Sequence, residues 1–197
     1  MAPDERRTQI LDASRQVFGQ RGYHGTSISH IVKAAGVARG TFYNYFPSKR
    51  AVFQAVLDNI MEQVEGAVHP MDPTRDIAAQ VRENLERLIL TLSAREDLPR
   101  LLFGEALGID EEGDDALRGF YATALHRIEH ALTLGQQFGV VHNGDPVLWS
   151  RCLLGLLKEP AFQASLHNET LDAHALVEAI FAFLAQGVLA GPAPRNV

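Results

Sequence analysis

Thiols are nearly absent from this 197-residue chain: Cys152 is its one cysteine. No disulfide framework and no all-cysteine zinc site can form within it, which fits a reducing cytoplasm. Long apolar runs are missing too. The longest, CLLGLL at residues 152–157, falls far short of the roughly 20 residues that span a bilayer. The opening MAPDERRTQIL has no apolar segment of the signal-peptide kind, so neither secretion nor a membrane partner is expected. A glycine-rich phosphate loop is lacking, and no stretch alternates apolar and polar residues long enough to make a strand. Aromatic residues are few: ten Phe, four Tyr and one Trp. With 46% hydrophobic residues there is nonetheless enough to bury a core, and the sequence reads as a folded all-α protein of one large or two small domains.

Charge is present but unevenly spread. Residues 1–50 hold eight Lys or Arg against three acids, a net +5, so the remainder carries −11 of the overall −6. A basic end on an acidic body is what a polyanion partner requires.

Helical periodicity divides the chain. A first helix over residues 4–22 is followed by the turn RGYHG. Thr26 or Ser27 caps a second, whose Ile28, Ile31, Val32 and Ala35 recur at i, i+3, i+4, i+7 until Gly36 stops it. A third short helix covers 38–45, and a fourth starts at Pro47-Ser48 and closes at HPMDPT. Further helices are expected over 74–94, 98–107, 116–138, from Asp145-Pro146 to about 166 with Pro160 as a kink or interruption, and over 171–189. DEEGDD, residues 110–115, reads as a solvated loop.

The second and third helices, joined by the turn AGVA, form a helix-turn-helix pattern, in which the first helix braces a second whose N-terminal residues enter a major groove. Thr26, Ser27, Thr41, Tyr43, Tyr45 and Lys49 are donors suited to phosphates. Arg39 is suited to guanine O6 and N7, Gly40 to close backbone approach, and Thr41 to a thymine methyl or a phosphate. Four of the fifteen rings crowd into residues 42–46. On a helix Phe42 and Phe46 share one face, as an inward anchor, and Tyr43 and Tyr45 flank the other.

The order TSISHIVKAAGVARGTFYNYFPSKRAVFQAVL, residues 26–57, closely resembles the DNA-binding signature of the TetR/AcrR family of bacterial transcriptional regulators. The resemblance implies an all-α fold divided into a helix-turn-helix DNA-binding domain over 1–50 and an effector-binding and dimerisation domain over 51–197. It implies a recognition helix over 38–45, backbone contacts from Tyr43, Tyr45 and Lys49, and an anchoring role for Thr26 and Ser27. The DNA-facing set is then Thr26, Ser27, Ala38, Arg39, Gly40, Thr41, Tyr43, Asn44, Tyr45 and Lys49. Two positions depart from the pattern: Ala38 stands where a capping Ser is frequent, a loss of about 1 kcal/mol, and Arg50 where an acid is frequent. No enzymatic activity and no cofactor are implied, and repression is the family default.

The resemblance also assigns the last two long helices to a homodimer interface. Their composition agrees, because Val147, Leu148, Leu153, Leu154, Leu156 and Leu157 with Leu176, Val177, Ile180, Phe181, Phe183 and Leu184 exceed one core-facing stripe. Two-fold symmetry requires a palindromic double-stranded DNA operator. A pocket for a small hydrophobic or amphipathic effector is expected among Leu88, Leu92, Phe103, Leu107, Phe120, Tyr121 and Trp149, with the Tyr121 hydroxyl and Trp149 indole as polar handles.

Two other classes compete. HRIEH, residues 126–130, fits the H-x-x-E-H order of inverted zinc peptidases, so His126, Glu129 and His130 define a metal-binding alternative. A helical adaptor that uses the N-terminal region to bind protein is the other, and steep salt dependence separates nucleic-acid binding from it. Cys152, set among leucines, is expected to be buried and inert.

Overall fold

Apolar positions at helical spacing bury one stripe of α1, Pro3–Arg21, with Ile10, Leu11, Val17 and Phe18 inside. The computed structural model describes residues 3–72, 74–93, 101–102, 111–167 and 169–188. Eight helices run through the described residues: α1; α2, Ile28–Ala35; α3, Arg39–Tyr45; α4, Lys49–Ala67; α5, Ile77–Ser93; α6, Glu111–Gln137; α7, Pro146–His167; and α8, Ala173–Gly187. The all-α class expected from periodicity is the class observed.

The chain separates into two compact units. One comprises residues 1–63 and 95–121, the other 64–94 and 122–197. In the first, α1 packs on α2 and α2 touches α3. The Gln9 carboxamide of α1 donates to the Ala35 carbonyl at 2.8 Å, holding the end of α2 against α1. Tyr23, buried in the turn after α1, stacks its ring near Phe18, with centroids 5.9 Å apart, and near Phe53 of α4 at 4.8 Å. Gly25 fits this turn because a Cβ there would meet the Arg21 carbonyl oxygen at 2.3 Å. Gly36 ends α2 in the left-handed region at φ 64°, where glycine alone has no Cβ penalty.

In the second unit α5 packs on α8, and Leu85, Ile89, Val177 and Ile180 form its core, with α7 adding Leu156 and Leu157. Asp145 caps α7, accepting from the Val147 and Leu148 amides, and Asp172 caps α8 through the Ala175 amide. An exposed Arg82–Glu178 ion pair also joins α5 to α8.

Three expectations change. Residues 111–115, expected within the loop DEEGDD, instead form the opening turns of α6. Pro160 does not interrupt α7, which continues to His167, although the bond its missing N–H would have made is lost. Cys152 is exposed rather than buried, and it shares its face of α7 with exposed Leu148 one turn earlier. Of the helix expected over 98–107, residues 101 and 102 are helical and buried, and the rest lies outside the described residues.

Candidate nucleic-acid interface

The short α3 is held by its two phenylalanines. Phe42 and Phe46 are buried, their rings 6.0 Å apart, and the Arg7 guanidinium of α1 lies over the Phe46 ring at 5.3 Å. The division of the four-ring cluster follows from the i, i+4 relation: Phe42 and Phe46 face in, Tyr43 is 43% exposed, and Tyr45 is half-buried.

On the outward side, Ala38, Arg39, Gly40 and Asn44 are exposed and Thr41 is half-buried. Ala38 holds the extended N-cap conformation but supplies no side-chain cap to α3. A Cβ on Gly40 would meet nothing within 4 Å, so the fold itself has no need of glycine there. The Arg39 guanidinium lies over the Tyr43 ring at 5.8 Å from its centroid, with Nη2 at 3.5 Å from the Tyr43 hydroxyl.

Ser27, exposed, is the N-cap of α2. Its hydroxyl accepts from the His30 amide, while His30 Nδ1 accepts from the Ser27 amide. Histidine thus stands where a capping box ordinarily has Glu or Gln, and the first turn of α2 carries no acidic side chain. Thr26 is different: it is buried, and its hydroxyl donates to the Gly22 carbonyl at 2.6 Å. Its hydroxyl hydrogen is thus directed inside the turn. Lys49, half-buried at the start of α4, points its ammonium at the Tyr23 carbonyl at 3.0 Å and over the Tyr23 ring at 4.1 Å. Two of its three N–H donors remain for another acceptor.

The residues expected to line an effector pocket are shared between the two units. Leu88 and Leu92 are half-buried one turn apart on α5, in the second unit, as is Trp149, whose ring leaves no room for a Cβ on Gly144. Phe120 and Tyr121 belong to the first unit, with ring centroids 5.8 Å apart. The Tyr121 hydroxyl donates to the Leu102 carbonyl at 2.7 Å, and burial pushes its pKa above the ordinary tyrosine range. Phe103 and Leu107 lie outside the described residues.

Sequence reasoning missed Tyr23, Gln80 and Asn84. The last two are buried polar residues on α5 that break its apolar pattern, and that break was the available signal. His126 and His130 are exposed on α6. Among the described residues no group of three His, Cys, Asp or Glu side chains is placed to hold a metal ion. Among the same residues no helix is long and apolar enough to cross a membrane.

Known proteins resemble this chain in the same places. Residues 10–56 match the family described as bacterial regulatory proteins, tetR family. The HTH-type transcriptional regulator YvdT of Bacillus subtilis is 43% identical over 65 residues, 31% of this chain and 34% of that protein, so the match spans about a third of it. The fatty acid metabolism regulator protein of Bacillus subtilis is 25% identical over 186 residues, 91% of this chain and 94% of that protein. The crystal structure of the transcriptional regulator FadR from Bacillus subtilis in complex with stearoyl-CoA shares the fold, with a TM-score of 0.76 at 23% identity over 91% of this chain and 98% of that one. The N-terminal region, residues 10–56, is thus that of the TetR family of bacterial regulatory proteins, on a chain similar over nearly its whole length to a fatty acid metabolism regulator.

Proposed function

We propose that the chain acts as a homodimeric repressor that binds a palindromic operator through residues 1–50 and is released when residues 51–197 take up a long-chain acyl-CoA or a similar hydrophobic effector. One observation carries the DNA-binding part: α3 is anchored by buried Phe42 and Phe46 and turns Arg39, Gly40, Tyr43 and Asn44 outward from the +5 end of an acidic protein. Arg39 and Thr41 then read bases, Gly40 admits the backbone, and Ser27, Ala38, Tyr43, Asn44, Tyr45 and Lys49 meet the phosphates. Lys49 does so while braced on Tyr23.

Exposed Val147, Leu148, Leu166 and Phe183 on α7 and α8 support dimerisation through these helices. Half-sites would then stand about 34 to 36 Å apart or a multiple of it. The acyl-CoA reading rests on the fatty acid metabolism regulator of Bacillus subtilis and on the stearoyl-CoA held by FadR. A coupling of about 1 to 3 kcal/mol would lower operator affinity some 5- to 150-fold.

The test is selection of bound sequences from random duplex DNA with the purified full-length protein, repeated with stearoyl-CoA. A palindromic site whose binding falls steeply with salt and weakens with the acyl-CoA is expected. Absence of any selected site at low and moderate salt refutes DNA binding, and a site indifferent to acyl-CoA refutes only the effector.

A further inference from the structure

Arg39 occupies an unusual place for a cation. It is the first residue of α3, at the positive end of the helix dipole, where Lys and Arg are disfavoured. Ala38 brings no capping acceptor, and among the described residues Arg39 makes no ion pair. Its observed partner is the Tyr43 ring one turn on, at 5.8 Å, with the long Nη2 to hydroxyl contact at 3.5 Å. That ring is itself braced. Phe42, fully buried, meets it edge-on with centroids 5.6 Å apart and an interplanar angle of 82°.

We infer that Tyr43 is a positioning residue for base readout: its ring, fixed from below by Phe42, holds the Arg39 guanidinium fork in a preset orientation from which it reads one base pair. This rests on the DNA-binding reading above and goes beyond it, since that reading gives Tyr43 only a phosphate contact. A free arginine samples many rotamers, and a base-specific bidentate contact needs one. An aromatic face restricts the guanidinium without consuming its in-plane donors, because the attraction acts through the ring's π-cloud. One Nη2 N–H reaches the Tyr43 hydroxyl, and the other N–H groups of the fork remain free to donate to guanine O6 and N7.

The two roles for Tyr43 separate experimentally, because one needs the hydroxyl and the other needs the ring. With the operator obtained by selection, binding of the full-length wild type, Tyr43→Phe, Tyr43→Ala, Arg39→Ala and the Tyr43→Ala/Arg39→Ala double variant is measured on the operator and on every single-base substitution, at one fixed salt concentration. Arg39→Ala is expected to reduce discrimination at one base pair per half-site by about 5- to 150-fold. Tyr43→Ala should reduce discrimination at that same base pair by about 2- to 5-fold. Tyr43→Phe should keep it, and in the double variant the Tyr43 change should add nothing at that position.

Far-ultraviolet circular dichroism and unfolding midpoints establish that each variant is folded; both side chains are exposed, so none should unfold. Equal weakening on every sequence by Tyr43→Phe and Tyr43→Ala overturns the inference and leaves DNA binding intact. Loss of discrimination at a base pair that Arg39→Ala does not affect also overturns it. Failure of the wild type to select any site instead removes the DNA-binding reading itself.

Discussion

Replacing Asn84 tests whether the segment between α4 and α5 is held by side-chain amides. Asn84, buried on α5, accepts from the His69 amide at 2.9 Å and donates to the His69 carbonyl at 2.8 Å. One turn earlier, buried Gln80 accepts from the Asp72 amide at 2.7 Å and donates to the Asp72 carbonyl at 2.9 Å. Each carboxamide pairs with both polar groups of one backbone residue, as a neighbouring strand would.

Asn84→Ala removes the two hydrogen bonds to His69, worth about 1 kcal/mol each, and a longer one that the half-buried Arg87 donates to Asn84 Oδ1 at 3.2 Å and can replace with water. It regains about 0.6 kcal/mol of helix propensity, and leaves space through which water can reach His69. The net loss should be about 1 to 2 kcal/mol. Asn84→Leu adds apolar surface and is an equally good helix former, yet it covers the His69 N–H and C=O without bonding them. Each such group costs about 1 to 3 kcal/mol when unsatisfied, so the loss should be about 2 to 4 kcal/mol.

Thermal unfolding followed by far-ultraviolet circular dichroism reads this order, at one protomer concentration because association would shift the midpoint. Each kcal/mol corresponds to about 2 to 4 °C at this chain length. If the leucine variant melts at or above the alanine variant, Asn84 serves as packing and the reasoning fails.

Three further outcomes are expected. Ala38→Ser supplies the missing cap to α3 at an N-cap residue already in the extended conformation, and should raise stability by about 0.5 to 1 kcal/mol in denaturant unfolding; no gain would show that Ser cannot reach the first-turn amides. Phe183→Glu alters a side chain 67% exposed on α8; it should leave the protomer folded and shift sedimentation from dimer to monomer, and an unchanged dimer would remove Phe183 from the interface. Tyr121 holds its proton more tightly folded than unfolded, so folding stability should decline as pH rises past the ordinary value of 10.0. Tyr121→Phe should lose about 1 kcal/mol at neutral pH with its hydrogen bond to Leu102, yet show a shallower alkaline decline; parallel pH profiles would refute the assignment.

Much of the helix plan was legible because it rests on local rules. The spacing of Ile28, Ile31, Val32 and Ala35 marks α2, and Gly36 ends it for a reason that belongs to glycine's backbone. Asp145 caps α7 as its position before Pro146 suggests. DEEGDD misled because a run of acids is compatible both with a solvated loop and with a helix N-terminus, and composition does not choose between them. At the candidate site, the i, i+4 relation was enough to send Phe42 and Phe46 inward and Tyr43 outward. The same rules gave Thr26, Ser27 and Lys49 one shared role, and the structure gives them three environments. Ser27 caps α2, Thr26 is sealed in the turn, and Lys49 lies across Tyr23.

By itself, the sequence determined the helical class, most helix limits, the basic N-terminal quarter and the family signature, because each depends on residue type at short spacing along one chain. Tertiary structure alone decided which polar side chains were consumed internally and which faces of α7 and α8 stayed uncovered. It buried Gln80 and Asn84 against a backbone segment and left Cys152 in the open. Periodicity states which residues share a face, but what that face meets depends on segments far away in sequence, brought together only when the chain folds.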